Sequence, residues 1–97
     1  MVIVIIEHVT SAARGELTRW LIEPRAGVFI GNVSAMVREK LWSYLVKKHP
    51  KCAITLFYSA KTEQGFVIRT YGDTTRKVVD YDGLALIKRV ERRQRAY

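Results

Sequence analysis

The chain reads as one α+β domain, a small and mostly antiparallel sheet with two helices on one of its faces. Three features predict it. Val2-Ile-Val-Ile-Ile6 is an unbroken β-branched run, the composition of a central strand covered on both faces. Two amphipathic segments, one after Thr10 and one after Ser34, carry apolar residues at helical spacing and follow residues able to cap the first free N–H groups. Short β-type runs punctuated by glycine lie between and after them, so strands and helices alternate early and strands accumulate at the end.

The elements follow in order. Glu7 and His8 close the first run at its carboxyl end, where ligand groups collect in sheets with helical crossovers. Thr10 or Ser11 opens a first helix, predicted to continue through Ile22 with Ala13, Leu17, Trp20 and Leu21 on its inner face, and Pro24 ends it. Gly15 within that helix costs about 1 kcal/mol relative to alanine, so a packed strand or a ligand is expected close to its backbone. Next comes R-A-G-V-F-I-G-N-V-S, Arg25 to Ser34, around which the chain is arranged. Gly27 and Gly31 bracket a very short apolar strand, and Asn32 or Ser34 opens the second helix.

That second helix reaches Lys48 and buries Val37, Leu41, Tyr44 and Leu45. Lys47, Lys48 and His49 suit the negative end of its dipole, and Pro50 stops it. Residues 52–58 form a strand with Ile54, Leu56 and Tyr58 on one side. After a polar turn at residues 59–65, Phe66–Tyr71 returns as its antiparallel partner. Residues 72–77 are expected as an exposed basic loop, with residues 78–81 and 84–90 as strands split at Asp82-Gly83. The sheet face away from the helices is apolar, so a dimer packed through that face is expected.

Composition narrows the function. Ninety-seven residues make one domain with one core; the division expected is residues 1–90 as the domain and 91–97 as a basic C-terminal tail. No apolar run approaches the roughly 20 residues needed to cross a bilayer, so no membrane is expected and the chain is read as cytoplasmic. Cys52 is the single cysteine and His8 and His49 lack ligand spacing, which removes disulfides and cysteine zinc sites. No P-loop, dinucleotide fingerprint or nucleophile elbow occurs. Seventeen Lys+Arg against nine Asp+Glu give +8, the electrostatic footprint of a protein whose partner carries phosphates.

The same words that define the elements also resemble a known family. R-A-G-V-F-I-G-N-V-S, the first strand ending I-I-E-H-V, R-G-x-L-x-x-W-L in the first helix and Y-G-x-x-x-R-x-V-V-D-Y-D-G-L near the end are similar to the CRISPR-associated protein two family, type I-E subtype. The likeness runs from Val2 to about Val90. It implies a ferredoxin-like sandwich forming a symmetric homodimer, with the last strands pairing across to the partner. It further implies a scaffold in spacer acquisition that holds double-stranded protospacer DNA and bridges subunits of the CRISPR integrase, CRISPR-associated protein one. One departure stands out: a ferredoxin-like chain has a hairpin between its helices, and here residues 27–33 leave room only for a collapsed one or a bend.

Binding candidates are Arg14, Arg25, Arg38, Arg76 and Lys77, because guanidinium and ammonium groups hold phosphates without reading bases. Of these, Arg14 and Arg76 match family positions that grip the DNA backbone. Ala12 and Thr75 stand where close relatives have further arginines, and Lys77, two residues past Thr75, points the same way in an extended chain and compensates. The alternative activity is a metal-dependent endonuclease, acting on RNA or DNA. The family's acid at the end of the first strand corresponds to Glu7, which would hold Mg2+ from each subunit at the dimer axis, with His8 as an acid or base.

Overall fold

The computed structural model describes residues 1–72, 76–81 and 84–89, with side chains beyond residue 72 described only at Ile87. The chain runs β1 (Val2–Glu7), α1 (Ser11–Leu17), β2 (Ile22–Arg25), β3 (Val28–Gly31), α2 (Ala35–Lys48), β4 (Ala53–Ser59), β5 (Phe66–Tyr71), β6 (Arg76–Tyr81) and β7 (Leu84–Arg89). Five strands form one antiparallel sheet in the order β2-β3-β1-β4-β5. The first four, with α1 between β1 and β2 and α2 between β3 and β4, have the ferredoxin-like arrangement. Strands β6 and β7 pair with each other in a separate two-stranded sheet.

One face of the large sheet meets both helices. Val2, Val4 and Ile6 of β1, Phe29 of β3 and Ile54 and Leu56 of β4 are buried against Ala13 and Leu17 of α1 and Leu41 and Leu45 of α2. The alternate residues of β1, Ile3 and Ile5, are only half-buried, so a single chain covers this strand on one face and not on both. The cap predictions are met: Thr10 Oγ1 accepts from Ala13 N–H at 3.1 Å and Ser34 Oγ from Val37 N–H at 3.2 Å.

The first helix is shorter than its periodicity suggested. It ends at Leu17, where the Thr18 hydroxyl donates back to the Arg14 carbonyl at 2.8 Å and competes for the helix's own acceptor. Leu21 then turns inward and is buried, while Trp20, predicted to be in the core, is 47% exposed. Ile22-Glu-Pro-Arg25 continues as a strand at the sheet edge, one of the few strand positions that tolerate a proline. A full hairpin therefore joins the helices, with Ile22 opposite Ile30 and Arg25 opposite Val28, and the expected departure from the ferredoxin-like plan disappears. Its two-residue turn needs glycine at position 27, which has φ +80°, and a Cβ there would lie 2.5 Å from the Ile6 carbonyl oxygen. Gly15 behaves differently: a Cβ would meet no atom within 4 Å, so no packed strand explains it.

At the other end, β4 and β5 pair as expected, from Ile54 opposite Tyr71 to Ser59 opposite Phe66. The expected loop over residues 72–77 is shortened, because Arg76 and Lys77 already belong to β6. Asp82-Gly83, Thr75 and the basic tail at 91–97 lie outside the described residues. Among the described residues, no helix is long and apolar enough to cross a membrane.

Candidate nucleic-acid interface

Arg14 is tied to the β2–β3 hairpin at the carboxyl end of β1, the hairpin that also carries Arg25. Arg14 sits midway along α1 and Glu23 on β2, nine residues apart, and the hairpin folds one over the other. The Arg14 Nε–H is shared between the two carboxylate oxygens of Glu23, at 2.9 and 3.0 Å. The same carboxylate accepts the backbone N–H of Gly27 at 2.9 Å. Gly27 in turn accepts from Ile6 N–H at 2.8 Å, which ties the turn to the end of β1. Arg25 is exposed two residues before that glycine. A chain of contacts, Arg14 to Glu23 to Gly27 to Ile6, thus fixes helix, hairpin and central strand together. The Gly27 N–H, with Arg14 beside it, holds the Glu23 carboxyl below the usual carboxylate range.

Arg38 is placed elsewhere. It lies on α2 over the Tyr58 ring, 3.7 Å from its centroid, and Tyr58 is opposite Val2 at the start of β1. That is about 13 Å along the strand from Ile6 at 3.3 Å per residue. Its Nε–H donates to Glu39 at 3.0 Å, and Glu39 also accepts from Arg69 at 2.8 Å to both oxygens. Arg69 lies over the Trp42 ring at 4.6 Å. These arginines are laid against rings and joined by one acid, an arrangement that staples α2 to β4 and β5. Arg69, chiefly, with Arg38, holds the Glu39 carboxyl below the usual range.

The register of β6 with β7 puts Arg76 opposite Arg89 and Lys77 opposite Lys88. Like charges directly opposite are destabilising in an antiparallel pair, and this register sets two such pairs at successive positions. Sequence reading placed Lys88 and Arg89 in the last strand and nominated neither for binding; only the register sets them opposite Lys77 and Arg76. Glu23 was missed outright, because it was read as part of a helix end. No local spacing connects it to Arg14; the nearest signal is an acid next to Pro24, which already forces extended backbone.

Glu7 is half-buried at the end of β1, opposite Ala53. His8 is exposed with φ 64°, a left-handed turn, and its carbonyl accepts from the Cys52 thiol at 3.4 Å. Nearby, His49 lies within hydrogen-bond distance of Thr10 Oγ1 at 3.3 Å and Tyr44 Oη at 3.2 Å, which pins the end of α2 to the start of α1. Among the described residues, no three of His, Cys, Asp and Glu gather where they could hold a metal ion. Among the described residues one chain supplies a single carboxylate at this point, which does not by itself fit a magnesium site.

Fold and site define a class: a small, basic ferredoxin-like domain with guanidinium groups set at one end of its sheet. The model of a CRISPR-associated protein family, Cas_Cas2CT1978, matches residues 1–86. The chain belongs to that family, and membership supports a role in CRISPR adaptation.

Proposed function

We propose that the protein is a homodimeric scaffold of spacer acquisition, of the type I-E kind, which holds duplex DNA by its phosphates between integrase subunits. The observation that carries this reading is the half-exposed Arg14 held by Glu23 at a braced corner of a domain carrying +8. Duplex DNA presents about one charge per 1.7 Å of axis, so fixed guanidinium groups meet a phosphate wherever they land. The cations Arg76, Lys77, Lys88 and Arg89, set opposite one another by the register of β6 with β7, support the same reading. Dimerisation rests on the sheet face away from the helices, where Ile3, Ile5, Val28, Ile30, Phe57 and Ile68 are only half-covered. A concavity of about 320 Å³ opens there, lined by Met1, Ile3, Phe57, Tyr58, Ser59 and Phe66. Strand β5 ends the sheet, an edge that a partner's ribbon can extend.

Mixing the protein with the integrase of the same locus and a short duplex tests this directly. Insertion that requires both proteins, from a species of twice 11.2 kDa in sedimentation, is expected. Insertion by the integrase alone at the same rate refutes the scaffold role. Glu7→Ala separates the nuclease alternative: the scaffold keeps full insertion with this variant, whereas a nuclease at the dimer axis loses its magnesium-dependent cleavage.

A further inference from the structure

We propose that Glu23 is a positioning residue for DNA: it holds Arg14 by Nε so that the outer edge of the guanidinium faces a phosphate. The inference rests on the reading of Arg14 as a phosphate contact, and adds to it a residue whose own charge repels DNA.

The geometry is specific. An arginine can meet a carboxylate through its two terminal nitrogens, which consumes the fork that also fits phosphate. Here the carboxylate takes only the Nε–H, with both oxygens 2.9–3.0 Å away. Both Nη nitrogens are left without a protein acceptor among the described residues. The acid is the sheltered partner, its side chain 15% exposed, and the arginine the presented one, at 41%. Glu23 is itself immobilised by the Gly27 N–H, so the arginine is anchored to the hairpin as well as to its own helix. An unanchored arginine on a seven-residue helix would sample many rotamers, and ordering it on binding would cost conformational entropy. The anchor removes part of that cost beforehand.

Charge and positioning make opposite predictions. Removing an acid from a DNA-facing surface should tighten binding if only the summed field matters. If Glu23 positions Arg14, removing it weakens binding.

The test is titration of two unrelated short duplexes with the wild-type protein, Glu23→Ala, Arg14→Ala and the double variant, each at three or more salt concentrations. Glu23→Ala is expected to lower affinity about fivefold, within the range of couplings between contacting residues. The slope of log affinity against log salt should shrink toward that of Arg14→Ala. In the Arg14→Ala background the Glu23 change should have no further effect. Affinity unchanged or raised in Glu23→Ala overturns the proposal. So does an equal loss with and without Arg14, which would mean the acid acts through the hairpin alone. If Arg14→Ala itself changes neither affinity nor slope, the phosphate reading of Arg14 falls, and this proposal with it. Should Glu23→Ala fail to fold, Glu23→Gln replaces it; it keeps one acceptor for Gly27 N–H while losing the charge and the second oxygen. The same three outcomes then decide.

Discussion

Two acids in this protein each bind arginine, and they do opposite things with it. Glu23 is sheltered and its arginine exposed, with side chains 15% and 41% accessible. Glu39 is the exposed member of its group, at 47%, while Arg38 and Arg69 are drawn down to 19% and 32%. At the first site the carboxylate is fixed by a backbone N–H and presents a guanidinium outward. At the second, aromatic rings hold the guanidinium groups and the carboxylate bridges them at the surface. The ion pairs alike say little; which partner faces water decides whether an arginine serves the fold or is offered to a ligand.

The comparison can be broken at its hinge first. Gly27→Ala forces a Cβ against the Ile6 carbonyl at positive φ, and the strain should destabilise the fold by about 2–3 kcal/mol. Chemical denaturation measures it; a cost near zero would mean that the turn relaxes and does not brace Glu23. Next in size is Arg38→Ala, which removes a guanidinium stacked on Tyr58 and should cost about 1 kcal/mol. If its stability is unchanged in the same assay, the ring contact contributes nothing and Arg38 returns to the binding candidates.

Acid provides a finer separation. Both carboxyls are held below the usual range, Glu23 chiefly by Gly27 N–H and Glu39 chiefly by Arg69. A carboxyl whose pKa is lower folded than unfolded contributes stability that is complete above the unfolded value of about 4.3. That contribution is lost as pH falls through the folded value. Stability should therefore decline below the unfolded carboxylate value, and less steeply in a Glu23→Gln/Glu39→Gln variant. Melting curves at stepped acid pH that are identical for both proteins would contradict the assignment.

Much of this was legible in the sequence, and the failures have common causes. The buried stripe of α2, both N-caps and the β4–β5 hairpin follow from side-chain period and capping chemistry, which are local. The edge strand β2 was not legible. Trp20, Leu21 and Ile22 continue a helical spacing on paper, whereas Thr18 turns its hydroxyl onto the helix carbonyls and Pro24 is tolerated at an edge. Losing β2 meant losing Glu23, since only the hairpin brings that acid to Arg14. Charge alone nominated Arg14 and Arg38 equally; the ring of Tyr58, distant in sequence, gives Arg38 a contact within the fold that Arg14 lacks. Lys88 and Arg89 became visible beside Arg76 and Lys77 only through strand register.

The central claim is that Arg14 is presented to phosphate and Arg38 is retained by the fold. The most direct measurement is the salt dependence of duplex binding for Arg14→Ala beside Arg38→Ala. Each phosphate that is no longer neutralised takes about 0.9 off the slope of log affinity against log salt, so a dimer contributing Arg14 twice should lose up to about 1.8. Arg38→Ala should keep the wild-type slope on the same duplexes. Equal slopes for wild type and Arg14→Ala, or a reduction confined to Arg38→Ala, would contradict the account.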